Sequence, residues 1–123
     1  MIKRVVTTKE DATIETAVKI LDEKHIGSIV MTDNEGKCKG VFTERDAIRI
    51  MARNIPLSTP LKEVMTKNLI TIGEGAAFAE AMALLVSHGI RHLPVVDDEG
   101  RLVGIMSMRN FFNEIFGVAH ALR

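Results

Sequence analysis

The spacing of the apolar residues predicts two amphipathic helices of the same design, one in each half of the chain. In each helix the apolar residues recur at i, i+3, i+4 and i+7, which places them on one face. Thr13 is placed to cap the first helix, and Gly89 to end the second in a left-handed conformation. The two apolar stripes are Ile14, Ala17, Val18 and Leu21 in the first half, and Phe78, Ala81, Met82 and Leu85 in the second.

A β-hairpin is predicted after each of these helices. The β-rich stretches SIVMT and HLPVV are followed by the turn sequences DNEG and DDEG, and then by the returning strands KCKGVF and RLVGIM. A short strand is expected before each helix, at VVTT (5–8) and LITI (69–72). A last helix is expected to begin at Thr43 in the first half and at Ser107 in the second.

These elements form two copies of one internal duplication. When the chain is shifted by 64 positions, residues 1–59 align with 65–123 without a gap, and 13 of the 59 pairs are identical. Residues 60–64 lie outside the duplication and are predicted to form a linker, because Pro56 and Pro60 end helices and stiffen turns. We expect an α/β (α+β) fold of two β-α-β-β-α repeats. The repeats are expected to pack sheet to sheet about a pseudo-twofold axis, with a cleft on either side of it.

Composition and charge argue against several classes of function. The 123 residues are 46% hydrophobic and 26% charged with zero formal net charge, so no global field attracts nucleic acid or a membrane surface. The sequence lacks a recognisable signal peptide or spanning segment, and its single cysteine, Cys38, cannot form an internal disulfide, so a cytoplasmic protein is expected. Gly89 interrupts the helix that would align His88 with His92, so no metal site is expected. No activated nucleophile or acid–base pair is recognisable, and we expect a protein that is not an enzyme.

The motif that carries the most chemistry occurs once in each copy, as GVFTERDAIR and GIMSMRNFFN. In the first copy Thr43 is placed to cap a helix, with Asp46 at the third helical position as in a capping box. A purely structural cap is the alternative to a binding role, but it does not exclude one. The N-terminus of a helix attracts anions, and a carboxylate can accept two hydrogen bonds from a cis-diol. In the second copy Ser107 and Asn110 stand at these positions, and an amide accepts hydrogen bonds only through its oxygen.

An arginine follows each cap by two positions. The planar guanidinium groups of Arg45 and Arg109 are suited to phosphate, because they donate two parallel hydrogen bonds. The alternative is that both are ordinary solvated helix residues.

The ordered set of motifs, present twice, resembles the CBS domain, the family named after cystathionine β-synthase. The segment GIRHLPVVDDEGRLVGIMS is similar to the central hairpin of that family, and VMTKNLITI is similar to its opening. The resemblance implies a tandem pair that binds AMP, ADP or ATP in its clefts, with S-adenosylmethionine less expected, and that requires no cofactor. It also implies a disc-like homodimer that regulates a partner protein.

The resemblance also implies roles for individual residues. Asp46 is expected to hold the ribose, Thr43 to lie close to the sugar and phosphate, and Arg91 and His92 to reach the phosphates. The first strands are expected to contact the base through backbone atoms, and apolar strand residues to form a wall for adenine, with core packing as the alternative. The expected nucleotide-binding residues are Thr7, Ser28, Ile29, Thr43, Arg45, Asp46, Thr71, Arg91, His92, Leu93, Pro94, Ser107, Arg109 and Asn110.

Asn110 departs from the family pattern. The charge-assisted hydrogen bonds of a carboxylate are lost in an amide. We therefore expect the cleft of Asn110 to bind ribose more weakly, to bind a different ligand, or to stay empty.

The last helix of each copy carries more apolar residues than one buried face requires. Excess apolar helix surface indicates an interaction site, and a homodimer through these helices is predicted. Its interface is expected to contain Phe111, Phe112, Ile115 and Phe116, with Ile48 and Met51 in the first copy. Two functions stay open, an adenine-nucleotide sensor and a structural or protein-interaction module with vestigial clefts; Asp46 favours the first, and Asn110 leaves room for the second.

Overall fold

The computed structural model describes residues 5–107 of the chain. The chain divides into two compact units, Val6–Leu69 and a second unit that joins residues 70–107 to Val5. The second predicted terminal helix lies outside the described residues, as do the site candidates Arg109 and Asn110 and the interface candidates Phe111, Phe112, Ile115 and Phe116. Within the described range, the helices are too short or too polar to cross a bilayer.

The first unit has the predicted order of strands and helices. Strand β1 (Thr7–Thr8) leads into α1 (Ile14–Lys24), followed by β2 (Ser28–Thr32), β3 (Cys38–Thr43) and α2 (Glu44–Ala52). The sheet has the order β1-β2-β3, with β1 parallel to β2 and β2 antiparallel to β3. The parallel pair is joined through α1, because parallel strands need a crossover connection.

The second unit repeats this arrangement as far as the structure describes it. It contains β4 (Ile72–Gly73), α3 (Phe78–Ser87), β5 (His92–Val96) and β6 (Leu102–Ser107), in a sheet of order β4-β5-β6. The predicted mixed α/β fold is confirmed. The first strand of each unit is shorter than predicted, because only two residues of each have a ladder partner on the neighbouring strand, and β4 shares only Ile72 with the predicted stretch 69–72.

Each hairpin turn is held by an aspartate at the same position of the repeat. The Oδ1 atom of Asp33 accepts hydrogen bonds from the backbone amides of Glu35 at 2.8 Å and Lys37 at 3.0 Å, and Asp97 is bonded in the same way. The hydrogen bond from the Lys37 amide lowers the pKa of Asp33, and that from the Arg101 amide lowers the pKa of Asp97. The two hairpins therefore share their turn chemistry as well as their register.

A hydrophobic core lies between the helices and one face of each sheet. Along the strands side chains alternate between the two faces, so that Ile29, Met31 and Phe42 point towards α1 and α2. Phe78, predicted to lie in the apolar stripe of α3, is 36% exposed, whereas Ile14 at the equivalent position of α1 is fully buried. The core of the first unit consists of Ile14, Ala17, Leu21, Ile29, Met31, Phe42, Ile50, Leu61 and Met65, and that of the second of Ile72, Ala81, Leu85, Leu93, Val95 and Met106.

The segment after α2 packs against the first unit over the stretch predicted as a linker. Leu61 begins a short 3-10 turn (Leu61–Glu63), is fully buried, and donates its amide to the carbonyl of Ala12 at 2.8 Å. Thr66 and Val41 exchange backbone hydrogen bonds at 3.1 and 3.2 Å. Buried apolar groups and paired backbone groups thus hold this segment in place.

The predicted helix ends are confirmed where the structure describes them. Thr13 caps α1 by accepting a hydrogen bond from the amide of Thr16 at 3.2 Å. Gly89 follows α3 with φ of 61°, and His25, at the equivalent position after α1, has φ of 53°. The left-handed ending is therefore a property of the repeat, although glycine occupies it in one copy only.

Candidate functional site

Polar residues of the first unit collect on the sheet face that points away from its helices. Because Ile29 and Phe42 point into the core, alternation places Ser28 and Thr43 on the opposite face, where they are partners in the β2–β3 ladder. Thr7 is aligned with Val30 in the parallel ladder and lies on this same face. Three of the predicted site residues thus share one side of the sheet.

Helix α2 begins at this face with the predicted capping box. The amide of Thr43 donates to Oδ2 of Asp46 at 2.8 Å, and the amide of Asp46 donates to Oγ1 of Thr43 at 3.3 Å. The Thr43 hydroxyl also donates to Oδ2, at 3.2 Å. Asp46 therefore has the structural role that was the alternative in the sequence analysis, and this role leaves a ligand contact open.

The hydrogen bonds of Asp46 limit how a ligand could use its carboxylate. A carboxylate oxygen accepts about two hydrogen bonds. Oδ2 already accepts two, whereas Oδ1 forms an ion pair with the guanidinium of Arg49, whose Nη1 atom lies 3.0 Å away. Oδ1 is therefore the oxygen with room for one more donor, and a second ligand hydroxyl could reach Oδ2 only if the Thr43 hydroxyl rotated away.

Arg49 is a site residue that the sequence analysis missed. Its Nη1 atom pairs with Asp46, whose side chain is only 8% exposed, and its Nη2 atom donates to the carbonyl of Val64 at 3.3 Å. The signal available in the sequence was the i, i+3 spacing from Asp46, which brings two side chains together on a helix.

The first turn of α2 keeps one unused backbone donor. The amide of Glu44 is bonded to the carbonyl of Gly27 at 3.1 Å, and that of Asp46 to Thr43. Between them, the amide of Arg45 has no hydrogen-bond partner among residues 5–107. The Arg45 side chain is exposed and has no partner in the same range. The helix dipole and these two donors favour an anion at this end of α2, and the carboxylates of Glu44 and Asp46 in the same turn oppose it.

The apolar candidates divide between the two faces of their sheets. Ile29 and Leu93 are buried in the cores of their units, so their side chains have the packing role that was the alternative to an adenine wall. Val30 and Pro94 alternate with them and point to the opposite faces. Val30 and Pro94 are as fully buried there as Ile29 and Leu93 are in the cores, so none of the four apolar candidates is exposed to a ligand.

The candidates of the second unit lie at the start of its sheet and at the end of β6. His92 and Ser107 are partners in the β5–β6 ladder, as Ser28 and Thr43 are in the first unit. Arg91 is exposed immediately before β5, and Thr71 is exposed immediately before β4.

The chain belongs to the CBS domain family, whose model matches residues 1–53 and 61–117. It is 31% identical over 115 residues to a 17.7 kDa protein of Acidianus ambivalens, covering 94% of this chain and 70% of that protein. It is 33% identical over 109 residues to the CBS domain-containing protein YhcV of Bacillus subtilis, covering 88% and 76%. An inosine-5'-monophosphate dehydrogenase of Methanocaldococcus jannaschii is 34% identical over 110 residues, but this chain spans only 21% of that enzyme.

Solved structures of CBS domain pairs have the same fold. A CBS domain protein of Pyrobaculum aerophilum, complexed with AMP, matches with a TM-score of 0.87 and 27% identity, over 100% of this chain and 95% of that one. The CBS domain pair of protein MJ0100, in complex with 5'-methylthioadenosine and S-adenosyl-L-methionine, matches with a TM-score of 0.85 and 29% identity, over 92% of both chains. The predicted tandem CBS pair is thereby confirmed.

Proposed function

We propose that the chain is a regulatory module that binds an adenosine-containing ligand, with AMP, ADP or ATP preferred over S-adenosylmethionine. The observation that carries the proposal is the start of α2, where the unused amide and exposed guanidinium of Arg45 adjoin the buried carboxylate of Asp46. The similar CBS pairs with bound AMP, 5'-methylthioadenosine and S-adenosyl-L-methionine support the adenosine class. The ligand acts by shifting the affinity of this chain for a partner protein, and the chain itself carries out no chemical step.

In the first repeat, we assign each part of a nucleotide to residues at the start of α2 or on the sheet face that points away from the helices. The phosphate is bound by the free amide and the guanidinium of Arg45, because an anion is stabilised where unpaired N–H groups and a cationic side chain converge. A ribose hydroxyl donates to Oδ1 of Asp46. The backbone of Thr7 and the side chain of Ser28 border the base and sugar.

The second repeat is proposed to bind the same class of ligand more weakly. Arg91, His92, Pro94 and Ser107 supply basic, apolar and hydroxyl groups there. Asn110 lacks the charge that strengthens a hydrogen bond from ribose.

Replacing Arg45 by methionine separates phosphate recognition from adenosine recognition. The wild-type protein is expected to bind AMP with a dissociation constant below about 1 mM. Arg45→Met should weaken AMP about five- to tenfold, because it removes a charge-assisted contact at an exposed position, and should change the affinity for adenosine less than about twofold. Isothermal titration calorimetry with AMP, ATP, adenosine and S-adenosylmethionine measures both effects.

Arg53→Met is the matched control, since Arg53 is an exposed arginine at the other end of α2 and should leave every affinity unchanged. An equal loss for AMP and adenosine in Arg45→Met would contradict the phosphate role. Flat titrations of the wild type with all four ligands at several millimolar would remove the binding proposal.

The apolar surface of α2 supports a second candidate function, a protein-interaction module. Ile48 is 69% exposed and Met51 is 80% exposed. We propose that both lie in a homodimer interface, in which burial would remove this apolar surface from water. Multi-angle light scattering at high micromolar concentration should give twice the 13.6 kDa chain mass. Met51→Lys should shift the mass towards that of the monomer, and a monomeric wild type would refute the interface.

A further inference from the structure

The guanidinium of Arg49 bridges the candidate ribose-binding carboxylate and the segment that leaves the first repeat. One of its nitrogens lies 3.0 Å from Oδ1 of Asp46, and another donates to the carbonyl of Val64 at 3.3 Å. Val64 lies 15 positions after Arg49 along the chain, whereas Asp46 is in the same helix, and one planar group makes both contacts. Movement at either contact is therefore transmitted to the other through a single rigid fork.

The second end of this bridge is a well-defined structural element. Val64 and Met65 both donate their amides to the carbonyl of Leu61, at 3.0 and 2.8 Å, and Thr66 pairs with Val41 of β3. Leu61 and Met65 are also buried in the core of the first unit. Arg49 thus contacts a short, packed turn whose opening would uncover apolar side chains.

The first end of the bridge is the only oxygen of Asp46 with room for another donor. Because Oδ2 already accepts two hydrogen bonds from Thr43, an arriving hydroxyl must share Oδ1 with Arg49. A donor added to Oδ1 restrains the carboxylate and with it the guanidinium. A ligand bound at Asp46 thereby also restrains the hydrogen bond that Arg49 donates to the carbonyl of Val64.

The two repeats differ at both members of this ion pair. At 64 positions further along the chain, Asp46 is replaced by Asn110 and Arg49 by Asn113. A buried carboxylate without its cationic partner is costly, whereas two amides need no charge compensation. The paired difference is what one expects when the carboxylate and the arginine act as a unit.

We propose that Arg49 is a positioning residue that couples occupancy of the adenosine site at Asp46 to the Leu61–Thr66 turn. This inference rests on the proposed function, because it takes Asp46 as a ligand-binding residue. It assigns to the first repeat a regulatory connection that positions 110 and 113 of the second repeat do not provide. The connection runs from the bound ribose through Asp46 and Arg49 to the backbone that leads towards the second repeat.

Amide hydrogen exchange with and without saturating AMP tests the coupling directly. In the wild type, AMP should slow exchange at the amides of Val64, Met65 and Thr66 at least fivefold. The amide of Gly36, which is bonded to Asp33 in the distant hairpin turn at 3.0 Å, is the internal reference and should not respond. Calorimetry on the same samples gives the AMP affinity.

Two variants separate the positioning role from a merely structural one. Arg49→Lys keeps a charge beside Asp46 but removes the planar fork, so AMP affinity should stay within about threefold while the exchange response is lost. Arg49→Met removes both contacts, so affinity should also fall about five- to tenfold. Arg53→Met is the control for removing an arginine from α2 and should behave as the wild type in both measurements.

The outcomes distinguish this inference from the proposed function. If the wild type binds AMP but the amides of residues 64–66 do not respond, or if Arg49→Lys retains the full response, the coupling is wrong and the binding proposal stands. If the wild type does not bind AMP, adenosine or S-adenosylmethionine, the binding proposal and the coupling both fall.

Discussion

Asp46→Ala is expected to weaken AMP binding at least a hundredfold, about 2.7 kcal/mol, and to lower the free energy of unfolding by about 3 kcal/mol. The binding loss follows because alanine offers no acceptor to the ribose. The stability loss follows because the amide and hydroxyl of Thr43 lose their acceptor and Arg49 loses its partner. Calorimetry gives the first quantity and urea denaturation gives the second.

Asp46→Asn is the variant that separates the loss of AMP binding from the loss of stability. Its amide oxygen can still accept from the backbone of Thr43, so the cap is retained, while the charge that attracts a ribose hydroxyl and Arg49 is gone. We expect AMP binding to weaken about tenfold and the unfolding free energy to fall by about 1 kcal/mol. An Asp46→Asn variant that loses stability but binds AMP as tightly as the wild type would show that the charge of Asp46 serves the fold alone.

Asparagine is the natural residue at position 110, so the reciprocal change, Asn110→Asp, tests why the two repeats differ. The sequence differences at 110 and 113 imply that Asn110→Asp alone introduces a carboxylate without a cation. Asn110→Asp alone should therefore raise the affinity for AMP less than Asn110→Asp combined with Asn113→Arg. The paired substitution is the one that reproduces the side chains of the first repeat.

Most of the fold is predictable from the sequence, because its signals are local. The apolar stripes of α1 and α3 are read directly from 3.6-residue periodicity, and each hairpin is marked by β-rich segments around an aspartate–glycine turn. The duplication strengthens each of these predictions, since the same element is recognised twice. The short strands β1 and β4 are less predictable, because their length depends on how many residues find a partner on a neighbouring strand.

The candidate site is only partly predictable, because its hydrogen bonds are assembled from distant segments. The capping box of Thr43 and Asp46 spans four consecutive residues and was predicted from spacing alone. The contact of Arg49 with Val64 joins a helix to a segment that looks like a linker in sequence. Proline residues and the gap in the duplication describe that segment as a connection, whereas the burial of Leu61 makes it part of the first core.

Gly40→Ala is expected to destabilise the protein by about 2 kcal/mol, because a methyl group at this position overlaps Met65. Gly40 is buried in β3, and a Cβ atom there would lie 2.8 Å from Cγ of Met65 and closer still to its sulfur. Met65 is itself only 7% exposed, so its side chain has little free space to move into. The cost is limited by the flexibility of methionine, which can adopt another rotamer. Urea denaturation measures the difference in unfolding free energy.

A double-mutant cycle with Met65→Ala shows whether this contact is the cause. Met65→Ala alone removes a buried side chain and should cost about 2–3 kcal/mol, but it also opens space over Gly40. The double variant should therefore be more stable than the sum of the single changes predicts, by about 1–2 kcal/mol. Gly75→Ala, where an added methyl group meets nothing within 4 Å, is the control and should change stability by less than about 0.5 kcal/mol. Additive single effects would mean that the Met65 side chain does not depend on the space over Gly40. The Leu61–Thr66 turn would then be held to the first repeat by Leu61 and by the Val41–Thr66 hydrogen bonds.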